Sequence, residues 1–138
     1  MGKNEKSKVK DIYQNDIIYK GNIESYPKFC FKYLQEISFT DSRESRFFID
    51  FLKRLKKLSE LGWKEIYKSG KHSYGLEPIP IGELKPDTRD IKIITPEVKE
   101  LRVFRANGKR NPFLGLMNGD IFHVIFIESK FGDIYDHD

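Results

Sequence analysis

The sequence predicts an α+β fold in which an N-terminal helical portion packs on a C-terminal antiparallel β-meander of about four strands. Two observations carry this prediction. Residues 41–61 repeat their apolar side chains at the three- and four-residue spacing of an amphipathic helix. Residues 101–128 contain three apolar runs separated by two Asn-Gly pairs, which is the pattern of consecutive hairpins.

The length of the chain predicts a single domain without covalent cross-links. A chain of 138 residues is of ordinary single-domain size, and we expect residues 11–138 to form the domain. Residues 1–10 are polar and lysine-rich, which predicts a flexible basic arm. Cys30 is the single cysteine, so an intramolecular disulfide is excluded. The single cysteine favours a reducing compartment, so we expect a cytoplasmic protein. No apolar run approaches the ~20 residues that span a bilayer, so we expect no membrane partner.

The helix has recognisable end signals. Asp41 fits an N-cap, Glu44 completes a capping-box arrangement, and Gly62 is in position to end the helix. Trp63, Ile66 and Tyr67 predict a second, short helix. The stripe predicted to face the core consists of Phe48, Phe51, Leu52, Leu55 and Leu58. The opposite face carries Arg43, Arg46, Lys53 and Lys57, which suit either solvent or a nucleic acid.

The meander is predicted from its turns. Asn-Gly suits the left-handed backbone of a tight hairpin turn, and such pairs occur at 107–108 and 118–119. The run 121–128 is apolar on both faces, which predicts a strand in the middle of the sheet. The predicted strands are residues 101–106, 113–117 and 121–128, with 134–135 as a short edge strand.

Elsewhere the pattern is weaker. Phe29, Phe31 and Tyr33 alternate with other residues, which predicts a strand with one buried face. Residues 70–96 hold four of the six prolines, so this stretch is predicted to be extended or looped, with at most brief strands at 76–81 and 91–94.

Basic residues gather around the first hairpin of the meander. Arg102, Arg105, Lys109 and Arg110 lie within nine residues that contain no acid. In a strand, Arg105 shares a face with Leu101, while Arg102 points to the other face. Guanidinium groups converging near one end of the sheet suit phosphate recognition. The alternative is an exposed basic hairpin that protects the sheet edge from aggregation.

Charge is distributed unevenly along the chain. Residues 1–110 hold 24 Lys and Arg against 16 Asp and Glu, whereas residues 111–138 hold one lysine against five acids. This asymmetry suits a polyanionic partner for the first part, with an acidic rim at the end. A lysine-rich chain with ordinary solvated faces would show it as well.

Several familiar catalytic signatures are absent from the sequence. It contains no glycine-rich phosphate loop, dinucleotide fingerprint, paired-cysteine metal site or nucleophile elbow. His72, His123 and His137 have no ligand-like spacing. We therefore expect neither a metal site nor a cofactor.

The C-terminal third resembles a known superfamily. It contains LRVFR at 101–105, FLGL at 113–116, FHVIFIE at 122–128 and IYDH at 134–137. This order of a basic strand, a second strand, a long apolar strand and a terminal segment with Tyr or His resembles the RelE/ParE/HigB superfamily of small bacterial toxins.

The resemblance implies metal-independent endonucleolytic cleavage of mRNA, on the ribosome or free, with an antitoxin protein as a partner. In that family the RNA 2′-hydroxyl attacks the neighbouring phosphorus, and basic residues support the developing charge. By position, Arg105 and Arg110 are similar to the sheet-face arginines, Tyr135 to the terminal tyrosine and His137 to a terminal histidine. These four are the candidate catalytic residues, and the candidate nucleic-acid contacts are Arg102, Lys109, Arg46, Lys53 and Lys57.

Two other classes of function stay open. One is a non-catalytic phage or mobile-element protein of similar shape that binds a protein or a nucleic acid. The other is an enzyme of a different kind that the sequence does not reveal.

Overall fold

A computed structural model describes residues 25–40, 45–70, 74–106 and 111–137. Several sequence-based predictions lie outside these residues, namely the 1–10 arm, the Asp41 cap, the 107–108 turn, Lys109 and Arg110. The elements in chain order are β1 (Lys28–Cys30), α1 (Ile37–Thr40), α2 (Ser45–Lys68), β2 (Glu77–Pro80), a 3₁₀ turn (Ile81–Glu83), β3 (Glu100–Arg105), β4 (Pro112–Asn118) and β5 (Ile121–Ile127).

The strands form one five-stranded mixed sheet in the order β1-β5-β4-β3-β2. The antiparallel run β3-β4-β5 is the predicted meander, and the α+β class is confirmed. As predicted, β5 lies inside the sheet. Its outer neighbour is β1, which pairs with it in parallel, while β2 pairs antiparallel with β3 at the other edge. Prolines at 78 and 80 keep that edge strand short, since proline cannot donate to a neighbouring strand.

Helix α2 covers one face of the sheet. It buries Phe47, Phe51, Leu55 and Leu58 against the sheet residues Phe104, Phe113, Phe122, Val124 and Ile127. The predicted stripe was therefore wrong at two positions. Phe47 is in the core and Phe48 only packs against it, while Leu52 is 66% exposed. Because positions 47 and 48 are both phenylalanine, the sequence alone does not decide which of the two belongs to the buried stripe.

Gly62 interrupts α2 as predicted. Its φ of 81° and ψ of 159° are not helical, so the element consists of two helices joined at a kink. The backbone of Ser25 approaches there, because the Trp63 amide donates to the Ser25 carbonyl at 2.9 Å. The second helix buries Trp63 and Ile66 in the same core.

The register between β4 and β5 shifts at a β-bulge between Leu114 and Gly115. A Cβ atom at position 115 would lie 1.8 Å from the carbonyl oxygen of His123, so only glycine fits. At this bulge the backbone of β5, which carries His123, lies unusually close to the backbone of β4.

The opposite face of the sheet is covered by irregular chain. Residues 129–137, which follow β5 and Glu128, are called the terminal segment. Ile91 from the stretch after β2 and Ile134 from the terminal segment pack on Leu101, Val103 and sheet residues beside them. The predicted strand at 134–135 was wrong, because the backbone amide of Ile134 donates to the side chain of Glu128 at 2.9 Å instead of to a strand. The brief strand predicted at 91–94 is a turn, in which the Ile94 amide donates to Ile91.

The helices in the described part of the chain lack the combination of length and apolar character that crossing a membrane requires.

Candidate active site

Five side chains form a connected group at the end of β3 and β5. We call it the terminal cluster, and it consists of Glu77, Arg105, Glu128, Tyr135 and His137. Three of its members are residues that the sequence had singled out as candidate catalytic residues. They come from a strand end and from the last described residues, so the fold brings together groups that are about thirty positions apart.

Arg105 lies at the centre of the cluster. It is 9% exposed, and its Nη2 donates to Oε2 of Glu77 at 3.0 Å. The sheet register explains the pair, because Glu77 lies opposite Val103 and is therefore a diagonal neighbour of Arg105 on the same face. Arg105 also donates a hydrogen bond to the Tyr135 phenol. Burial of the Arg105 guanidinium is tolerated because the Glu77 carboxylate and the Tyr135 phenol oxygen both accept hydrogen bonds from it.

Glu128 follows β5 and has no exposed surface. Its Oε2 accepts from the Ile134 amide at 2.9 Å and lies 3.4 Å from the Tyr135 amide. Its Oε1 lies 2.6 Å from Nε2 of His137. One buried carboxylate therefore fixes both the backbone and the imidazole of the terminal segment.

Tyr135 is half-buried beside Arg105. Burial raises the pKa of its phenol above the ordinary value of 10.0, and the nearby Arg105 lowers that pKa only in part. Glu77 and Glu128 add to the rise. The phenol consequently stays protonated at neutral pH, where it can donate a hydrogen bond or a proton but is a poor base.

His137 is held by aromatic contacts as well as by Glu128. Its ring stacks on Phe131 with centroids 4.0 Å apart and lies 4.3 Å from the ring of Tyr135. The side chain of His137 is 6% exposed, so its orientation is determined by packing and by the Glu128 contact.

Lys85 fastens the terminal segment to the rest of the molecule. Its backbone amide donates to the carbonyl of Ile134 at 2.7 Å, and its Nζ donates to the carbonyl of Gly132 at 2.6 Å. The same Nζ pairs with Asp136 at 2.9 Å. The stretch after β2 thereby keeps Tyr135 and His137 against the end of the sheet.

The other candidate residues do not join the cluster. Arg102 is on the side of the sheet that α2 covers, and it pairs with Glu100 at 2.8 Å. Arg46, Lys53 and Lys57 lie on the solvent side of α2, and Arg46 pairs with Asp50. These basic residues are therefore separated from Arg105 by the sheet. Lys109 and Arg110 lie outside the described residues.

Neither carboxylate of the cluster was among the site residues predicted from the sequence. Glu128 did carry a signal, because it is an acid at the end of a run that is otherwise apolar on both faces. Glu77 lies in the proline-rich stretch and offered no comparable signal. Its pairing with Arg105 depends on the register of β2 against β3.

His123 is in a different part of the sheet. Its register partner on β1 is Cys30, and its ring meets Tyr33 edge-on with centroids 5.8 Å apart. Its Nδ1 is buried and has no hydrogen-bond partner among the described residues. Burial, with Lys32 nearby, lowers the pKa of His123 below its ordinary value of 6.5.

The cluster combines a fixed cation, an imidazole and a protonated phenol. These are the groups that phosphodiester chemistry uses to stabilise charge and to transfer protons. Within the residues that the structure describes, no three His, Cys, Asp or Glu side chains are arranged to hold a metal ion. Comparison with protein-family models, curated proteins and solved structures finds no match to this chain.

Proposed function

We propose that this protein is a RelE-like, metal-independent endoribonuclease that cleaves RNA phosphodiester bonds in the cytoplasm. The observation that carries the proposal is the meeting of Arg105, Tyr135 and His137 at one end of the sheet. The resemblance of the C-terminal third to the RelE/ParE/HigB superfamily supports the same activity. It also suggests that the ribosome supplies the mRNA and that an antitoxin protein restrains the enzyme.

The proposed reaction needs no cofactor. The RNA 2′-oxygen attacks the adjacent phosphorus and forms a 2′-O–P bond, while the bond from phosphorus to the 5′-oxygen breaks. The proton of the 2′-hydroxyl passes to a base, and the 5′-oxygen leaves with a proton from an acid. The imidazole of His137 can both accept and donate a proton, and the protonated Tyr135 is suited to donate. Arg105 would stabilise the charge that develops on the phosphate oxygens.

Binding of RNA must compete with Glu77 for Arg105. The ion pair between them joins Nη2 to Oε2 at 3.0 Å, and Glu77 is the more exposed partner. A phosphate oxygen presents the same acceptor geometry as a carboxylate. In this proposal the scissile phosphate therefore takes over a hydrogen bond that Glu77 holds in the absence of RNA.

The activity is tested by induction in a bacterial host and by cleavage of RNA in a chelator, with and without ribosomes. The wild type is expected to stop growth and to cut RNA. Arg105→Ala is expected to lower the rate about 10²–10³-fold, as loss of one preorganised charge-stabilising donor does. Arg89→Ala is the matched control, because Arg89 is exposed and pairs with Asp87, which is not a member of the cluster.

A folded Arg105→Ala variant that cleaves RNA at the wild-type rate would remove Arg105 from the site. A wild type that leaves growth and RNA unaffected, with and without ribosomes, would overturn the proposed activity. Circular dichroism of both variants shows whether a loss of activity reflects unfolding.

The burial of the cluster favours one alternative. Arg105 is 9% exposed and Glu128 is fully buried, as residues that only stabilise the terminal segment would be. The alternative is a non-catalytic phage or mobile-element protein that binds a nucleic acid or a protein. It predicts RNA that is bound but intact, and variants of the cluster that lose stability without any change in RNA cleavage.

A further inference from the structure

Glu128 is the one fully buried carboxylate in the described part of the chain. Its two oxygens have different partners. Oε2 receives the backbone amides of the terminal segment, and Oε1 faces Nε2 of His137 at 2.6 Å. An ionised carboxylate can only accept hydrogen bonds. The imidazole nitrogen that faces it must therefore carry a proton.

A neutral imidazole has one N–H group, and the contact with Glu128 decides which nitrogen it occupies. If Nε2 donates to Oε1, then Nδ1 is left with its lone pair. The ring cannot easily exchange the roles of its nitrogens by turning over, because it is stacked on Phe131 and contacts Tyr135. The side chain is also almost fully buried.

We propose that Glu128 is a positioning residue that holds the neutral imidazole of His137 in the Nε2–H tautomer, which leaves Nδ1 as the nitrogen that exchanges a proton at the active site. The tautomer follows from the contact geometry together with an ionised Glu128 carboxylate, whereas its catalytic consequence rests on the proposed ribonuclease activity. In that reaction Nδ1 takes the proton of the 2′-hydroxyl, and the proton on Nε2 stays on the hydrogen bond to Glu128.

Glu128→Gln tests the assignment because it keeps the size of the side chain. The amide oxygen of glutamine must face the amides of Ile134 and Tyr135, since an NH₂ group there would oppose two donors. The NH₂ group is then directed at Nε2 of His137 and donates to it. The proton of the neutral imidazole is consequently expected to move to Nδ1 in this variant.

The measurement is a long-range ¹H–¹⁵N correlation spectrum of the full chain with labelled histidine, at a pH high enough to neutralise the imidazoles. His137→Gln assigns the His137 signals. The wild type is expected to show protonated Nε2, and Glu128→Gln is expected to show protonated Nδ1. Glu77→Gln is the matched control, because it removes the charge of the carboxylate that pairs with Arg105 and leaves Glu128 unchanged, and its spectrum is expected to match the wild type.

A wild-type spectrum with protonated Nδ1 overturns the proposal, and so does a folded Glu128→Gln variant that keeps protonated Nε2. The wild-type spectrum alone shows which nitrogen of His137 carries the proton, so it tests the proposal even if Glu128→Gln does not fold. In cleavage assays Glu128→Gln is expected to lower kcat by about 10²–10⁴-fold with little change in KM, because proton transfer is lost and RNA contacts are kept. If the tautomers are as expected but the wild type does not cut RNA, the positioning of His137 stands and the proposed activity falls.

Discussion

Single buried polar atoms in this protein differ in how well they are paired. Both oxygens of Glu128 have donors, and Arg105 donates to Glu77 and to Tyr135. By contrast, Nδ1 of His123 and Nε1 of Trp63 are buried without a partner among the described residues. An unpaired buried polar atom lowers the free energy of unfolding by roughly 1–3 kcal/mol. The paired groups Glu128 and Arg105 avoid this cost, and they are the groups that hold the terminal segment.

His123 is expected to make the free energy of unfolding depend on pH. Burial lowers the pKa of its imidazole below 6.5, so the unfolded chain binds a proton before the folded protein does. As the pH falls through about 6.5, the contribution of His123 to the free energy of unfolding therefore decreases, and it levels off below the folded pKa. Urea unfolding of the wild type and of His123→Gln between about pH 8 and pH 5 measures this difference.

The wild type is expected to lose more stability than His123→Gln over that range. The two proteins differ only at position 123, so the contributions of all other groups cancel in the comparison. Parallel stability curves would show that His123 has the same proton affinity in the folded and unfolded chain.

Helix α2 provides half of the buried residues in the core on its side of the sheet. Its buried residues pack on an aromatic group in which Phe104 and Phe113 stack 5.1 Å apart and Phe51 meets Phe113 edge-on at the same distance. The kink at Gly62 directs Trp63 and Ile66 back into this core. The packing of α2 therefore depends on a few large side chains at helical spacing.

Two leucines of α2 offer a matched comparison, because Leu55 is buried and Leu52 is 66% exposed. Leu55→Ala is expected to lower the free energy of unfolding by ~2–5 kcal/mol through lost burial and a residual cavity. Leu52→Ala removes the same atoms from a largely solvated position and is expected to change it by less than ~0.5 kcal/mol. Denaturant unfolding measures both, and equal losses would mean that the helix faces the sheet with a different side.

The elements were predictable from the sequence where local chemistry determines them. The Asn-Gly pair at 118–119 predicts the hairpin between β4 and β5, although Asn118 is the last residue of β4 and the turn consists of Gly119 and Asp120. Gly62 predicts the end of the first helix and lies at the kink in α2. Long-range pairing was not predictable. Nothing in the local pattern near Phe29 indicates that β1 pairs in parallel with β5. Residues 134–135 were predicted to form a short edge strand, but the buried carboxylate of Glu128 accepts the hydrogen bonds of their backbone amides instead.

The whole molecule separates its charges. Net charge is +8 over residues 1–110 and −4 over residues 111–138, as counted from the sequence. Among the described residues, the basic side chains of α2 face solvent on one side of the sheet, and the terminal cluster lies on the other. RNA that contacts both would have to pass around the edge of the sheet.

The salt dependence of RNA binding distinguishes two groups of basic residues, namely Lys109 with Arg110 and Lys53 with Lys57. Each lysine or arginine that contacts a phosphate adds about one unit to the slope of log affinity against log salt. Changing Lys109 and Arg110 together to Ala is expected to flatten the slope by up to ~2 units if the hairpin binds phosphate. Lys53→Ala with Lys57→Ala is the matched double variant on α2, and two unchanged slopes would show that neither group contacts RNA.

The candidate site was predictable only in part. Arg105, Tyr135 and His137 could be singled out because a strand arginine and terminal aromatic residues can be read from the sequence. Glu77 could not, because its role arises from its diagonal neighbour across β2 and β3. Glu128 carried the signal of an acid at the end of an apolar run, but its partners depend on the path of the chain after β5. Sequence periodicity places a residue on a face, but it does not place it next to a residue of another strand.

The most direct test of the central claim is the chemistry of the RNA ends that the wild type produces in a chelator, with ribosomes present and absent. Attack by the 2′-hydroxyl predicts fragments with a 2′,3′-cyclic phosphate on one side of the cut and a 5′-hydroxyl on the other. His137→Gln and Arg105→Ala are expected to yield far fewer of the same ends. Fragments with a 3′-hydroxyl and a 5′-phosphate, or RNA that stays intact under both conditions, would contradict the assignment of the terminal cluster as a ribonuclease site.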